Sequence, residues 1–218
     1  MNQSYTREDS KVEVHGMEAR YYDLLMNLIT GGTYPFFIRS AIREMQIQPE
    51  DRILVFGSGT GRNLALMDRY LDGKGEILGL DIGPEMLEQS RRRFDGHPYI
   101  RIEEQRIDEP LPYREAFDKV FISFVLHGFV QEDRLKIIEN AQQALRPGGE
   151  FIILDYNEFD LKQAIWPVKI AFKIECPLAT DFVGRDLKST LRQQGFDAFR
   201  SHPHYLGYVR LLAARKAA

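Results

Sequence analysis

Three glycines at alternate positions, Gly57, Gly59 and Gly61, follow the apolar run Ile53-Leu54-Val55-Phe56 and precede a helical period opening at Arg62. Glycine lets the backbone turn sharply and come close to a ligand, because no Cβ intervenes. The helix N-terminus behind the loop offers unpaired N–H groups to a polar or anionic ligand. Twenty residues after Gly61, where the next apolar run ends, stands Asp81. A carboxylate there accepts both hydroxyls of a ribose. A pyrophosphate fits less well: G-x-G-x-x-G from Gly57 needs a glycine at position 62, where Arg62 stands and would crowd the helix–strand contact.

Other chemistries are weakly represented. No His/Cys/Asp set has metal-ligand spacing. Gly57-Ser58-Gly59 lacks the G-x-S-x-G form of a nucleophile elbow. Arg91-Arg92-Arg93 reads as a solvated helix face, with phosphate binding as the lesser reading. His97, His202 and His204 flank prolines in turns.

The elements that must position the glycine loop alternate between short apolar runs and helical periods, the pattern of a parallel sheet with crossover helices. Strands are expected at Arg52–Phe56, Glu76–Leu80, Tyr99–Glu103, Phe117–Phe124 and Phe151–Leu154. Helices are expected from about Arg62 to Leu71, Pro84 to Phe94 and Glu132 to Leu145, with a turn at Pro147-Gly148-Gly149. Phe56, Asp81, Phe124 and Asp155 all end strands in this reading, so they should converge on one crevice. Two helices precede the alternation. Met17, Tyr21, Leu24, Leu25 and Leu28 share one face, and Pro35 opens a second helix burying Phe37, Ile38, Ala41, Ile42 and Met45. Residues 156–183 read as irregular and aromatic. A helix at about Arg185–Gln194 then ends at Gly195, and strands near Phe196–Ser201 and Leu206–Ala213 close the chain as an antiparallel hairpin turning at Pro203–His204.

The 218 residues suit one domain, 1–218, with 1–13 loose and 14–48 a helical cap. Lys plus Arg is 29 and Asp plus Glu 32, so the net charge is −3, without the basic footprint of a nucleic-acid binder. Apolar residues at 44% and charged residues at 28% exclude a disordered chain. Cys176, the single cysteine, cannot bridge within the chain. The longest apolar stretch, Val120–Val130, is about half the roughly 20 residues of a membrane span, and the polar N-terminus lacks a signal-peptide pattern. The expected location is the cytoplasm. A homodimer is compatible with the sequence.

The glycine loop with Asp81 resembles motifs I and II of the class I S-adenosylmethionine-dependent methyltransferases. Leu111-Pro112-Tyr113, Ala116–Val120 and Ser123–His127 resemble that superfamily's approach through its fourth strand. Leu145–Phe151 resembles the turn before its fifth. Ala19–Asp23 with Gly32 and Tyr34, and the closing Leu206–Val209 up to Lys216, are similar to the ubiquinone/menaquinone-biosynthesis group. The resemblance implies a three-layer α/β/α sandwich whose seven-stranded, mostly parallel sheet has the order 3-2-1-4-5-7-6. It implies S-adenosylmethionine as cofactor: Gly57, Gly59 and Gly61 at its methionine end, Asp81 on the ribose, Ile82 beside the adenine, and Phe124 near the sulfonium. Two departures stand out. Val55 occupies the position of a usual acid, and Ile107 falls where an acid often meets the adenine amino group, with Asp108 the nearest candidate.

Tyr22 is expected at the cofactor carboxylate or, equally, as a core aromatic. His127 is a base or substrate-orienting group, against a histidine packed under a loop. Tyr156 is a substrate contact, against a surface tyrosine. Tyr21, Tyr34, Trp166, Phe172 and Tyr205 form an expected acceptor wall, suited to a small hydrophobic or aromatic acceptor; aromatic residues also cap ordinary cores. The expected reaction is in-line methyl transfer. The rivals are a nicotinamide-dependent oxidoreductase, which Arg62 opposes, and a non-catalytic cofactor-binding regulator, which Val55 keeps open.

Overall fold

A computed structural model describes residues 32–174 and 176–217. The expected 17–28 helix, Tyr21, Tyr22 and the loose 1–13 segment lie outside them. Strand β1 (Arg52–Phe56) alternates its side chains, Leu54 and Phe56 facing one hydrophobic layer and Ile53 and Val55 the other. Both layers are apolar because β1 is central and covered on both faces. Beside it lie β2 (Glu76–Asp81) and β4 (Phe117–Ser123), both parallel. With β3 (Ile100–Glu104), β5 (Leu145–Tyr156), β6 (Phe196–His204) and β7 (Val209–Lys216) the sheet has the order β3-β2-β1-β4-β5-β7-β6. Only β7 runs antiparallel to its neighbours, as the hairpin requires.

One layer is covered by α1 (Tyr34–Glu44) and α2 (Arg62–Leu71), which bury Phe37, Ile38, Ala41, Ile42, Leu64, Met67 and Leu71. Between β2 and β3 runs α3 (Pro84–Arg93). On the opposite layer α4 (Gln131–Ala144) buries Ile137, Ile138, Ala141 and Ala144. Its first turn carries Glu132 and Asp133, favourable at the positive end of the helix dipole.

Three expectations are corrected. Residues 156–183 are not irregular: they hold α5 (Trp166–Ile174) and α6 (Pro177–Val183). Strand β5 starts at Leu145, not Phe151. Pro147-Gly148-Gly149 lies within it as a bulge, where the β4 pairing shifts between Phe117↔Leu145 and Lys119↔Glu150. The closing hairpin turns at Tyr205–Gly207 rather than Pro203–His204, and Tyr205 and Leu206 take positive φ there. The expected helix near 185–194 is α7 (Leu187–Gln193), capped by Asp186, whose carboxylate accepts the Ser189 N–H at 2.8 Å.

The sheet's amino end is tied by charge. Lys119 lies 3.5 Å from Asp51 and 3.3 Å from Glu150, and Glu150 also accepts from Arg200 on edge strand β6. Burial pushes the Glu150 carboxyl up. The hydrogen bond from Arg200 and the charge of Lys119 outweigh that and hold it below the ordinary 4.5.

Candidate functional site

At the carboxyl ends of β1, β2 and β4 one cavity opens, lined by Gly57, Ser58, Gly59, Asp81, Ile82, Phe124 and His127. The loop after β1 descends into the sheet because Ser58 donates its N–H to the Leu80 carbonyl at 2.9 Å. Gly57 has φ +68°, and a Cβ there would lie 2.7 Å from Val125. Gly61 has φ +77° and faces Phe94 and Ser90 as tightly. Only glycine fits either position without strain. A Cβ on Gly59 would meet nothing within 4 Å.

Asp81 organises this loop. Its Oδ2 accepts the Gly59 N–H at 2.7 Å, and its Oδ1 accepts those of Ile82 and Gly83 at 2.8 and 2.9 Å. A carboxylate has about four acceptor sites, so three N–H donors leave capacity for a hydroxyl. The glycine cradle, the carboxylate beside it and the buried Ser58 Oγ, which has no hydrogen-bond partner, fit a nucleoside carrying a polar tail.

The far wall is built on β4 and β5. Phe124 follows β4 with φ +53°; its N–H donates to the Leu154 carbonyl at 2.9 Å, and its ring approaches those of Phe37 and Tyr156. His127 sits on the short helical turn Leu126–Gly128. Its Nδ1 is 2.7 Å from Asp155 Oδ1, and its backbone N–H donates to Oδ2 at 3.2 Å. An ionised carboxylate only accepts, so in this pair Nδ1 carries the proton that it shares with Asp155. Buried Arg134 of α4 clamps the same turn, donating to the carbonyls of Leu126 and His127 and pairing with Asp181 at 2.7 Å. Burial lowers the Arg134 pKa, and the hydrogen bond to Asp181 opposes that shift.

Of the residues expected from sequence, Gly57, Gly59, Gly61, Asp81, Ile82, Phe124 and His127 belong to this loop and cavity. Asp108 and Ile107 both line it as well. Asp108 is buried and accepts two hydrogen bonds from Arg106 at 3.1 Å. Tyr156 does not line the cavity: its ring lies 4.9 Å from that of His127 and 4.9 Å from that of Phe172, behind the wall. Phe56 is buried beneath the loop, and Asp155 reaches the site only through His127. Val55 is a core residue on the α1–α2 side. Tyr34 lines the cavity, with the Arg62 guanidinium 4.9 Å above its ring. Trp166 and Tyr205 do not; Trp166 projects into solvent, and Tyr205 packs on Phe37. Arg134, Ser58 and the Asp155–His127 pairing were missed. The spacing of 28 residues between Asp155 and His127 carries no local signal; only adjacency of β4 and β5 would have found it.

Among the described residues no group of three or more His, Cys, Asp or Glu side chains could hold a metal ion, and no helix is long and apolar enough to cross a membrane.

The methyltransferase-domain family matches residues 53–149. A ubiquinone/menaquinone biosynthesis C-methyltransferase of Methylococcus capsulatus is 27% identical over 143 residues, 63% of this chain and 56% of that protein. An uncharacterized methyltransferase of Synechocystis is 28% identical over 195 residues, 88% of this chain and 87% of its own length. The chain thus spans little more than half of the first relative and most of the second. Among solved structures, an S-adenosylmethionine-dependent methyltransferase from Aquifex aeolicus superposes with a TM-score of 0.61 at 16% identity, covering 82% of this chain and 88% of that one. The methyltransferase SibL superposes at 0.68 with 18% identity, covering 94% and 60%. These likenesses support the fold, and the family match over residues 53–149 spans β1 to the start of β5, including the glycine loop, Asp81 and His127. With the sheet order and the Gly57–Gly61 loop beside Asp81, they support a class I S-adenosylmethionine-dependent methyltransferase resembling the ubiquinone/menaquinone-biosynthesis group.

Proposed function

We propose that this chain transfers a methyl group from S-adenosylmethionine to a small hydrophobic or aromatic molecule, with His127 as the proton acceptor. The observation that carries the reading is that the Asp81-organised glycine loop and the His127–Asp155 pair open on one cavity. The cofactor supplies an electrophilic sulfonium methyl, so the protein's share is positioning, exclusion of water and proton removal. Asp81 would take the ribose hydroxyls, the N–H groups of the 57–61 loop the methionine end, and Ile82 and Ile107 the faces of the adenine. Phe124, held at an unusual backbone angle, walls the reaction centre. Tyr22, outside the described residues, remains a proposed contact to the cofactor carboxylate.

Nε2 of His127 would take the proton that the acceptor's nucleophilic atom gives up on receiving the methyl group. Asp155 holds the ring in the tautomer that can take that proton and stabilises the imidazolium that forms. Tyr156 acts by packing against His127 rather than by touching substrate. The C-methyltransferase relatives and the aromatic lining at Tyr34, Phe124 and Phe129 support an aromatic acceptor. A single domain working in the cytoplasm without nucleic acid belongs to the same reading. Neither the sheet nor the relatives favour a nicotinamide-dependent oxidoreductase or a non-catalytic regulator.

Methyl transfer from labelled cofactor to a panel of phenols, hydroquinones and aliphatic amines tests the proposal. Product is expected on an aromatic acceptor and is expected to fall sharply in His127→Ala, with cofactor affinity retained. Tight cofactor binding with no product on any acceptor would overturn it.

A further inference from the structure

We propose that the outer face of α5, together with the Tyr205–Gly207 turn, is a docking surface for an anionic lipid bilayer. The inference does not depend on which acceptor is methylated. Helix α5 has two unlike faces. Val168 and Phe172 point inward, the Phe172 ring 4.9 Å from Tyr156 and 5.5 Å from Phe159. Trp166, Lys169, Ile170 and Lys173, at i, i+3, i+4 and i+7, share the opposite face. There Trp166 is 73% exposed and Ile170 49%, and Ile165 just before the helix is 45% exposed. The Tyr208 hydroxyl accepts the Ile165 N–H at 3.1 Å, tying the helix start to the turn that carries Leu206, 88% exposed. Burying so many large apolar groups needs a partner surface.

The charges say which. Lys162, Lys169 and Lys173 are exposed, and none forms an ion pair with a described residue. Of the nearby acids, Glu158 pairs with Arg210, and Asp160, which keeps its charge, accepts from the Lys162 N–H and Gln163. The chain's net charge is −3, so this is a local cationic face on an acidic protein. An exposed tryptophan and aliphatic side chains interleaved with lysines are the composition of helices that lie in a bilayer interface. A second copy docking on the same face would set two groups of these lysines against each other across a two-fold axis, which disfavours self-association. No described helix could span the bilayer, so the attachment is peripheral.

Trp166 is the chain's one tryptophan, so its fluorescence reports this face alone. The full chain would be mixed with phosphatidylcholine vesicles with and without phosphatidylglycerol. The expected result is a blue shift and co-sedimentation with the phosphatidylglycerol vesicles only, weakening as salt is raised. The double variant Lys169→Glu/Lys173→Glu should lower partitioning by roughly tenfold or more, with melting temperature and cofactor binding unchanged. Ile170→Asp should do the same without reversing the lysine charge. The proposal is overturned by no shift, by an equal shift with uncharged vesicles, or by emission already blue in the free chain. It is equally overturned if the blue shift grows with protein concentration in the absence of lipid.

Discussion

Oδ1 of Asp155, on β5, lies 2.7 Å from Nδ1 of His127, on the turn that follows β4, and the ends of these two parallel strands are set side by side by the register Ser123↔Leu154. The same oxygen accepts the Tyr156 N–H at 2.8 Å, so the carboxylate is fixed before the ring approaches it. With Arg134 holding the carbonyls of Leu126 and His127, the imidazole is restrained from both its ring and its backbone. A group so restrained loses little entropy on reaching a reactive geometry.

Replacing Asp155 by Asn keeps the shape and removes the charge that selects the tautomer. The expected outcome is a fall in kcat of roughly 10²-fold or more, with cofactor affinity little changed. His127→Gln should cost a similar factor, and the double variant little more than either single one, because the residues act as a unit. Steady-state kinetics with calorimetric cofactor binding checks all three. Additive losses would mean that the two side chains act independently.

Asp81→Ala removes both the proposed ribose acceptor and the three N–H contacts that shape the loop. Cofactor binding should weaken by about 1–3 kcal/mol, the scale of hydrogen bonds to a charged group. Unchanged affinity in calorimetry would place the ribose elsewhere.

Gly57 and Gly59 should respond differently to alanine. At Gly57 the new Cβ meets Val125 at 2.7 Å on a positive φ, so stability should drop by roughly 1–3 kcal/mol. At Gly59, φ is +55° and the Cβ enters open space, so the folding loss should be smaller and the loss of cofactor binding disproportionate. Thermal melts with and without cofactor separate the two effects.

Acid should loosen the amino end of the sheet. Glu150 is held below its ordinary 4.5, so it contributes stability that is present above that value and is lost as pH falls through the lower folded one. Asp181 behaves alike: burial raises its carboxyl, and hydrogen bonds from Arg185 and Arg134 more than reverse that. Denaturant midpoints should therefore fall below about pH 4.5. Glu150→Gln should be less stable at neutral pH and show a flatter acid limb. A variant with the wild-type slope would show that Glu150 does not contribute.

How much of this the chain announced depends on the range of each interaction. The Gly57–Gly61 turn and Asp81 are legible because an apolar run, three glycines and a helix start follow one another locally, and the next strand's end is a fixed step away. The β7 reversal is legible because no helix fits between two adjacent strands. Where the Tyr156 side chain lies was not legible, because strand position alone does not tell which side a cavity opens; its ring packs on His127 and Phe172. Residues 156–183 looked irregular because α5 and α6 are short and proline-led, at Pro167 and Pro177, and too brief to show a full period. The bulge at Pro147–Gly149 passed for a turn because its residues are turn formers, while the pairs on either side, Phe117↔Leu145 and Lys119↔Glu150, keep β5 continuous across it.

Sheet polarity separates two kinds of work. The Asp51–Lys119–Glu150–Arg200 ion relay lies at one rim, and the glycine loop and imidazole lie at the other. Thermostability could therefore be engineered at the ionic rim while turnover is left alone, and catalyst design at the opposite rim would start from a scaffold whose anchorage it does not disturb.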